Sequence, residues 1–162
     1  MSSEIKAVRS VAWALGWLRI AASDHGICRV ALQAEEAAWE GESPVANTFA
    51  DEARRQLSEY LCGNRREFTV PLDISAGSAF QQTVWLATTG VSFGEHVPYS
   101  TIAAEVCAPQ ACRAVGQALK RNPMLILIPC HRVVRLRGGL GGFRAGEEAK
   151  LWLLRHEGII LL

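Results

Sequence analysis

No run of apolar residues approaches the ~18 that a membrane-spanning helix needs, which excludes a helical membrane protein. Nor does the N-terminus show a basic segment followed by an uninterrupted apolar stretch and a small-residue cleavage site. The expectation is therefore a cytoplasmic protein. The five cysteines (Cys28, Cys62, Cys107, Cys112 and Cys130) are odd in number and lack C-x-x-C spacing, which argues against a disulfide framework and for free thiols. His25 with Cys28, and Cys107 with Cys112, are the nearest approach to zinc-ligand spacing. Neither pair has an obvious second pair, so no metal and no cofactor is expected. Internal repeats and low-complexity segments are missing too.

Net charge is also nearly missing, at +1. Its distribution is uneven. Residues 1–75 carry 8 basic and 11 acidic side chains, whereas residues 76–162 carry 9 basic and 5 acidic. From Arg113 to Arg144 there are seven basic residues and no acidic one. Such an asymmetry can hide a polyanion-binding face in a near-neutral chain, although on charge alone an ordinary solvated surface accounts for it equally well.

With 162 residues, 49% of them apolar, the chain is long enough for a real core in one domain or two small ones. The first part reads as a small antiparallel sheet with strands at Val8–Leu15, Trp17–Ala22 and Ile27–Gln33, the last two joined by the turn Asp24-His25-Gly26. Phe49, Ala53, Leu57 and Leu61 recur every four residues and predict a helix over 49–61, stopped by Gly63-Asn64. A short strand near Phe68–Leu72 follows. The connector Asp73–Gly77 is the expected boundary between a domain of residues 1–75 and one of residues 76–162.

The second part opens with Ser78-Ala79-Phe80-Gln81, the spacing of a capping box, on a helix ending near Gly90. Ser100 is expected to cap a helix from Thr101 to Cys107. After Ala108-Pro109 a further helix runs from Gln110 to Arg121. In it Ala111, Ala114, Val115, Ala118 and Leu119 form an apolar stripe, and Gln110, Arg113, Gln117, Lys120 and Arg121 face outward. Two short helices so patterned match a helix-turn-helix whose second helix meets DNA, but αα-hairpins with no DNA role share the pattern. The fold class is α/β in the broad sense (α+β): an N-terminal sheet domain and a mainly helical C-terminal domain.

After Asn122-Pro123, the apolar run Met124–Ile128 reads as a buried strand that delivers Pro129-Cys130-His131-Arg132. A thiol of pKa ~8.5 is a good nucleophile only where a base or positive charge favours the thiolate. His131 and Arg132 adjoin it, yet neighbours on a strand point to opposite faces, so His131 needs an irregular backbone or a bridging water to serve Cys130. Glu157, at the close of an amphipathic helix starting near Ala145, is the acid available to orient the histidine. A glutamate there opposes the helix dipole. On these residues alone Cys130 as a packed hydrophobe, His131 as a satisfied core histidine and Glu157 as a solvated acid remain equal alternatives.

Ile128-Pro129-Cys130-His131-Arg132-Val133-Val134 resembles the active-site signature of the O6-alkylguanine-DNA alkyltransferases, bacterial type. Phe80 to Trp85, Gly94-Glu95 with Tyr99, Arg113 to Gly116, Asn122-Pro123, Gly141-Gly142-Phe143 and Leu153 to Gly158 stand in the same order and spacing as in that family. The resemblance is strong over residues 67–158 and holds in outline before that.

It implies a ribonuclease H-like N-terminal domain and a helix-turn-helix domain carrying the acceptor cysteine. It further implies that Cys130 takes an alkyl group from O6-alkylguanine in double-stranded DNA, with O4-alkylthymine left open, in a single irreversible turnover. His131 would deprotonate Cys130 through a water, Glu157 would orient His131, and Tyr99 would supply a proton or hydrogen bond to the departing guanine. Asn122 would hold the junction of helix and active-site segment. The backbone at Cys130 and Val133 would meet the guanine amine, while the Gly139–Arg144 loop, with Phe143 and Arg144, would close the pocket. Arg113 would fill the gap left by the flipped base. Small Ala114 and Gly116 would let the helix approach the minor groove, with Gln110, Gln117, Lys120 and Arg121 on the DNA face.

The same resemblance implies a monomer with no membrane partner. Phe143 departs from the tyrosine of many members and His96 from a frequent threonine, which bears on substrate range rather than on the cysteine. A non-reacting damage sensor, which would lack the cysteine, a Cys-His-Glu thiol hydrolase and a non-catalytic regulator are the competing functions.

Overall fold

The computed structural model describes residues 3–161, which divide into two compact units. The first comprises residues up to Ala76 together with Pro123–Leu125, and the second Gly77–Asn122 with Ile126 onward.

In the first unit, β1 (Ala7–Trp13), β2 (Gly16–Ser23) and β3 (Gly26–Gln33) form an antiparallel meander. A short strand that sequence reading missed, β4 (Glu40–Gly41), extends it, and the order is β3-β2-β1-β4. β1 stops at Trp13 rather than Leu15 because Trp13 already pairs with Gly16, leaving Ala14-Leu15 as the hairpin turn. Gly26 begins β3 at φ 150°, where a Cβ would lie 2.5 Å from the Pro71 carbonyl oxygen. Only glycine admits that close approach.

α1 (Pro44–Leu61) packs on the sheet and starts five residues before the expected Phe49. Ser43 caps it by accepting from Ala46 N, and Pro44 occupies the first turn, where its missing N–H costs nothing. Its buried face is Ala46, Ala50, Ala53, Gln56, Leu57 and Tyr60, so Ala53 and Leu57 of the expected stripe are core while Phe49 and Leu61 are half-buried at its edge. The expected strand at Phe68–Leu72 does not form. Only Leu72 bridges the sheet, at Ile27, and Thr69 bonds instead to the buried Gln56 side chain, N to Oε1 at 2.9 Å and Oγ1 from Nε2 at 2.7 Å. Met124 bridges Val30, which ties Pro123–Leu125 to this unit.

The second unit has α2 (Ala79–Thr89), β5 (Val97–Pro98), α3 (Tyr99–Glu105), α4 (Cys112–Lys120), β6 (Val133–Val134) and α5 (Glu147–His156). Ser78 and Gln81 form the reciprocal capping box at α2. Trp85 Nε1 donates to the Ala118 carbonyl at 2.9 Å and fixes α2 to α4. Val84, Ile102, Ala103, Val115, Leu119 and Val133 make the core.

α3 starts at Tyr99 after Pro98, so Ser100 lies within the helix and does not cap it. The α3–α4 turn is closed by Ala108 N on Ala103 O and Cys107 N on Ala104 O, with Cys107 left-handed at φ 56°. That is a Schellman ending. It displaces Pro109 and Gln110 from the helix they were expected to open. On α4 the buried residues are Val115, Ala118 and Leu119, while Ala114 is exposed rather than part of the stripe.

Met124–Ile128 is buried but is not a strand: Ile126 has φ 71°, a conformation a β-branched residue rarely takes, and the backbone turns there. The irregularity ends in a 3-10 turn, Cys130–Arg132, in place of the expected strand end.

Candidate active site

The second unit brings Cys130, His131, Asn122 and Glu157 together around that 3-10 turn. Cys130 N bonds to Ile128 O at 2.8 Å and Arg132 N to Pro129 O at 2.9 Å, so the turn is fixed from its own backbone. Asn122, just past the end of α4, donates through Nδ2 to the Ile128 carbonyl at 2.9 Å and to Cys130 Sγ at 3.0 Å. One amide therefore holds both the loop and the thiol.

Cys130 is itself part of the apolar core. Burial raises its thiol pKa, while the Asn122 donor and the charge of Lys150 pull it partly back. The resting group is a neutral thiol, and its proton has to leave before the sulfur can serve as a nucleophile.

Glu157, at the end of α5, accepts His131 Nε2 at 2.8 Å, Arg132 Nη2 at 2.8 Å and Nε at 2.9 Å, and Gly94 N at 3.2 Å. The Glu157 and His131 side chains are fully buried, and Gly94 reaches the carboxylate from the surface. A carboxylate gripped by a guanidinium fork is an acceptor, so the Nε2 position of His131 carries the hydrogen. His131 Nδ1 then presents its lone pair, and it is buried with no protein partner. Burial lowers the His131 pKa against the opposing pull of Glu157, so the ring is neutral and able to take a proton. The opposite-face objection to His131 rested on a strand, and the 3-10 turn removes that premise.

Tyr99 is half-buried at the start of α3. Burial, then the charge of Cys130, raise its pKa and keep it a phenol that can donate. A Cβ on Gly141, at φ 73°, would come within 2.5 Å of the Tyr99 hydroxyl, so the Gly139–Arg144 loop lies against that group. The Phe143 ring meets His131 edge-on at 6.4 Å, and Arg144 Nη1 reaches the Asn122 carbonyl at 3.4 Å. The Val133 carbonyl already accepts Lys150 Nζ at 2.7 Å. A substrate amine there must use its second lone pair. On α4, Arg113, Ala114, Gln117 and Lys120 are exposed, as are Gln110 before it and Arg121 after it, and Gly116 faces the Tyr99 ring.

Two residues of this site escaped sequence reading. Lys150 is fully buried, and its pKa is lowered to about 8 by burial. The signal was present: Ala149, Lys150, Leu153 and Leu154 share one helical stripe, with a lysine in an apolar position. Arg132 was noted as a neighbouring charge, but nothing in the sequence joins it to Glu157 or to the Val91 carbonyl it also binds at 2.6 Å.

Fold and site together define a helix-turn-helix protein with a buried cysteine held by an amide donor and followed by a histidine paired with a carboxylate. Residues 79–159 match the DNA-binding domain of 6-O-methylguanine DNA methyltransferase, and residues 8–74 match its ribonuclease-like domain. The chain belongs to this family. It is 41% identical over 153 residues to the constitutive methylated-DNA--protein-cysteine methyltransferase of Bacillus subtilis, covering 90% of this chain and 91% of that one. The corresponding protein of Mycobacterium leprae is 42% identical over 137 residues, covering 82% of each chain. The crystal structure of Mycobacterium tuberculosis OGT in complex with DNA aligns with a TM-score of 0.80 at 32% identity, covering 93% of this chain and 91% of that chain.

Proposed function

We propose that this protein repairs DNA by direct reversal, moving the alkyl group of O6-alkylguanine onto Cys130 Sγ. The observation that carries this reading is the coincidence of an amide-held buried thiol with a neutral histidine whose Nδ1 lone pair is unpaired. The thiol proton passes through a water to His131 Nδ1, and the sulfur attacks the alkyl carbon. The S–C bond forms as the C–O6 bond breaks. Guanine leaves with its negative charge met by the Tyr99 hydroxyl. The thioether product does not hydrolyse at a useful rate, so each molecule acts once.

The target atom sits inside a duplex, and reaching it requires extruding the base at a cost of a few kcal/mol. α4 enters the minor groove, its small residues Ala114 and Gly116 allowing close approach, and Arg113 occupies the vacated stack. The protein works as a monomer in the cytoplasm. No helix among the described residues is long and apolar enough to cross a membrane.

Mass spectrometry tests the reading. Incubation with DNA containing O6-methylguanine should add about 14 Da to the peptide bearing Cys130, and Cys130→Ala should abolish the adduct. Tight binding without an adduct would point to a damage sensor, and repeated turnover of an ester or amide to a hydrolase.

A further inference from the structure

Arg135 was assigned no role by sequence, yet the fold sets it beside the acceptor pocket. Val97 and Pro98 of β5 pair in parallel with Val133 and Val134 of β6. Both strands end there, with Tyr99 opening α3 directly after β5 and Arg135 opening the turn directly after β6, so the two residues leave neighbouring strand ends. The turn that follows is closed by Arg135 N on Gly139 O at 2.9 Å and Gly138 N on Arg135 O at 3.3 Å. The arginine stem lies along this turn: a Cβ on Gly139 would come within 3.0 Å of Arg135 Cδ.

The Arg135 side chain is exposed and, among the described residues, no carboxylate pairs with it, whereas Arg9, Arg55, Arg65 and Arg132 all have acidic partners. None can come from its own surroundings in sequence, since Arg113 to Arg144 contains no acid. The charge of Arg135 acts on both the Tyr99 hydroxyl and Lys150, as expected of a cation at the mouth of the site. An unpaired guanidinium fork held on a tight turn suits a phosphodiester.

We propose that Arg135 grips a backbone phosphate of the damaged strand beside the extruded nucleotide and so holds that nucleotide at the mouth of the acceptor pocket. This assignment rests on the alkyl-transfer reading above. It differs from the role given to Arg113, because a phosphate contact is needed on single-stranded DNA as much as on duplex.

The test compares the full-length protein with Arg135→Gln in single-turnover methyl transfer to Cys130. The donors are free O6-methylguanine, a short single-stranded oligonucleotide carrying one O6-methylguanine, and that oligonucleotide with a neutral methylphosphonate on either side of the damaged nucleotide. The variant should be slowed about tenfold on the oligonucleotide, the usual scale for losing a charged hydrogen bond, and unchanged on the free base. One of the two methylphosphonates should slow the wild type to the rate of the variant while leaving the variant unaffected. Equal rates on the oligonucleotide overturn the proposal, as does equal slowing on the free base, which would mean that Arg135 acts on the chemistry through Tyr99. Independent effects of the variant and of both methylphosphonates also overturn it. If the wild type alkylates with none of these donors, the acceptor reading itself fails.

Discussion

At the residue scale, Cys130, His131 and Glu157 were readable because their chemistry and their motif spacing coincide. The pairing of Glu157 with His131, 26 positions apart, was expected and is present at 2.8 Å, but the 3-10 turn that carries Cys130 and His131 was not, because it depends on the irregular backbone before it. Glu157 also proves to be more than an orienting group, since it neutralises the buried Arg132 guanidinium. Glu157→Gln should therefore have two effects. The amide removes the countercharge of Arg132, and breaking a buried pair from one side should lower stability by about 3 kcal/mol. A glutamine turned to donate toward Nε2 would move the ring hydrogen to Nδ1, the atom that must accept the thiol proton. Transfer should slow on the order of a hundredfold, the contribution of a general base. Urea unfolding and single-turnover transfer measure the two effects, and DNA affinity should hardly change. A variant that loses stability but keeps its rate would remove His131 from the chemistry.

Elements were legible where local signals decide them. The capping box placed α2 correctly, and apolar, β-branched segments set off by turn residues placed the three long strands. Tertiary pairing decided the rest. β4 exists because β1 offers a free edge, the Phe68–Leu72 segment is drawn off by Gln56, and Met124–Ile128 carries a strand-like composition on a backbone that turns at Ile126. α4 shows both cases, since its outward cations were read correctly while its start was set by the Schellman turn at Cys107. Arg113 is consequently the second residue of α4, exposed at its N-terminal end. Arg113→Ala should slow repair of duplex DNA on the order of tenfold, because filling the stack offsets part of the extrusion cost, and should leave reaction with the free base unchanged. Parallel rate measurements on the two substrates check this. Equal loss on both would make Arg113 part of the acceptor pocket rather than a wedge.

For the whole molecule, the chain divides at Ala76/Gly77, and the return of Pro123–Leu125 to the first unit rests on the Val30–Met124 bridge and left no trace in the sequence. Buried titratable groups were equally hidden, and they give stability a defined dependence on pH. Lys150 has a pKa of about 8 in the folded protein against 10.5 when exposed, and burial holds His131 below 6.5. Each binds fewer protons folded than unfolded in its own window, so stability rises with pH there. His131 makes the protein lose stability as pH falls below 6.5. Lys150 makes it gain from about 8 upward, by about 1 kcal/mol over the first pH unit. The half-buried thiol of Cys28 and the buried one of Cys130 act in the opposite sense: burial raises both above 9.0, so past that pH the unfolded chain gives up its thiol protons first and the gain is offset. The urea midpoint should therefore climb between pH 8 and 9 and level off beyond. Lys150→Met, which keeps the volume but removes the titrating group, should flatten that climb while leaving the loss below pH 6.5 in place. A wild-type midpoint that does not move between pH 8 and 9, or a variant that climbs equally, would mean that Lys150 keeps an ordinary proton affinity at the core of the site.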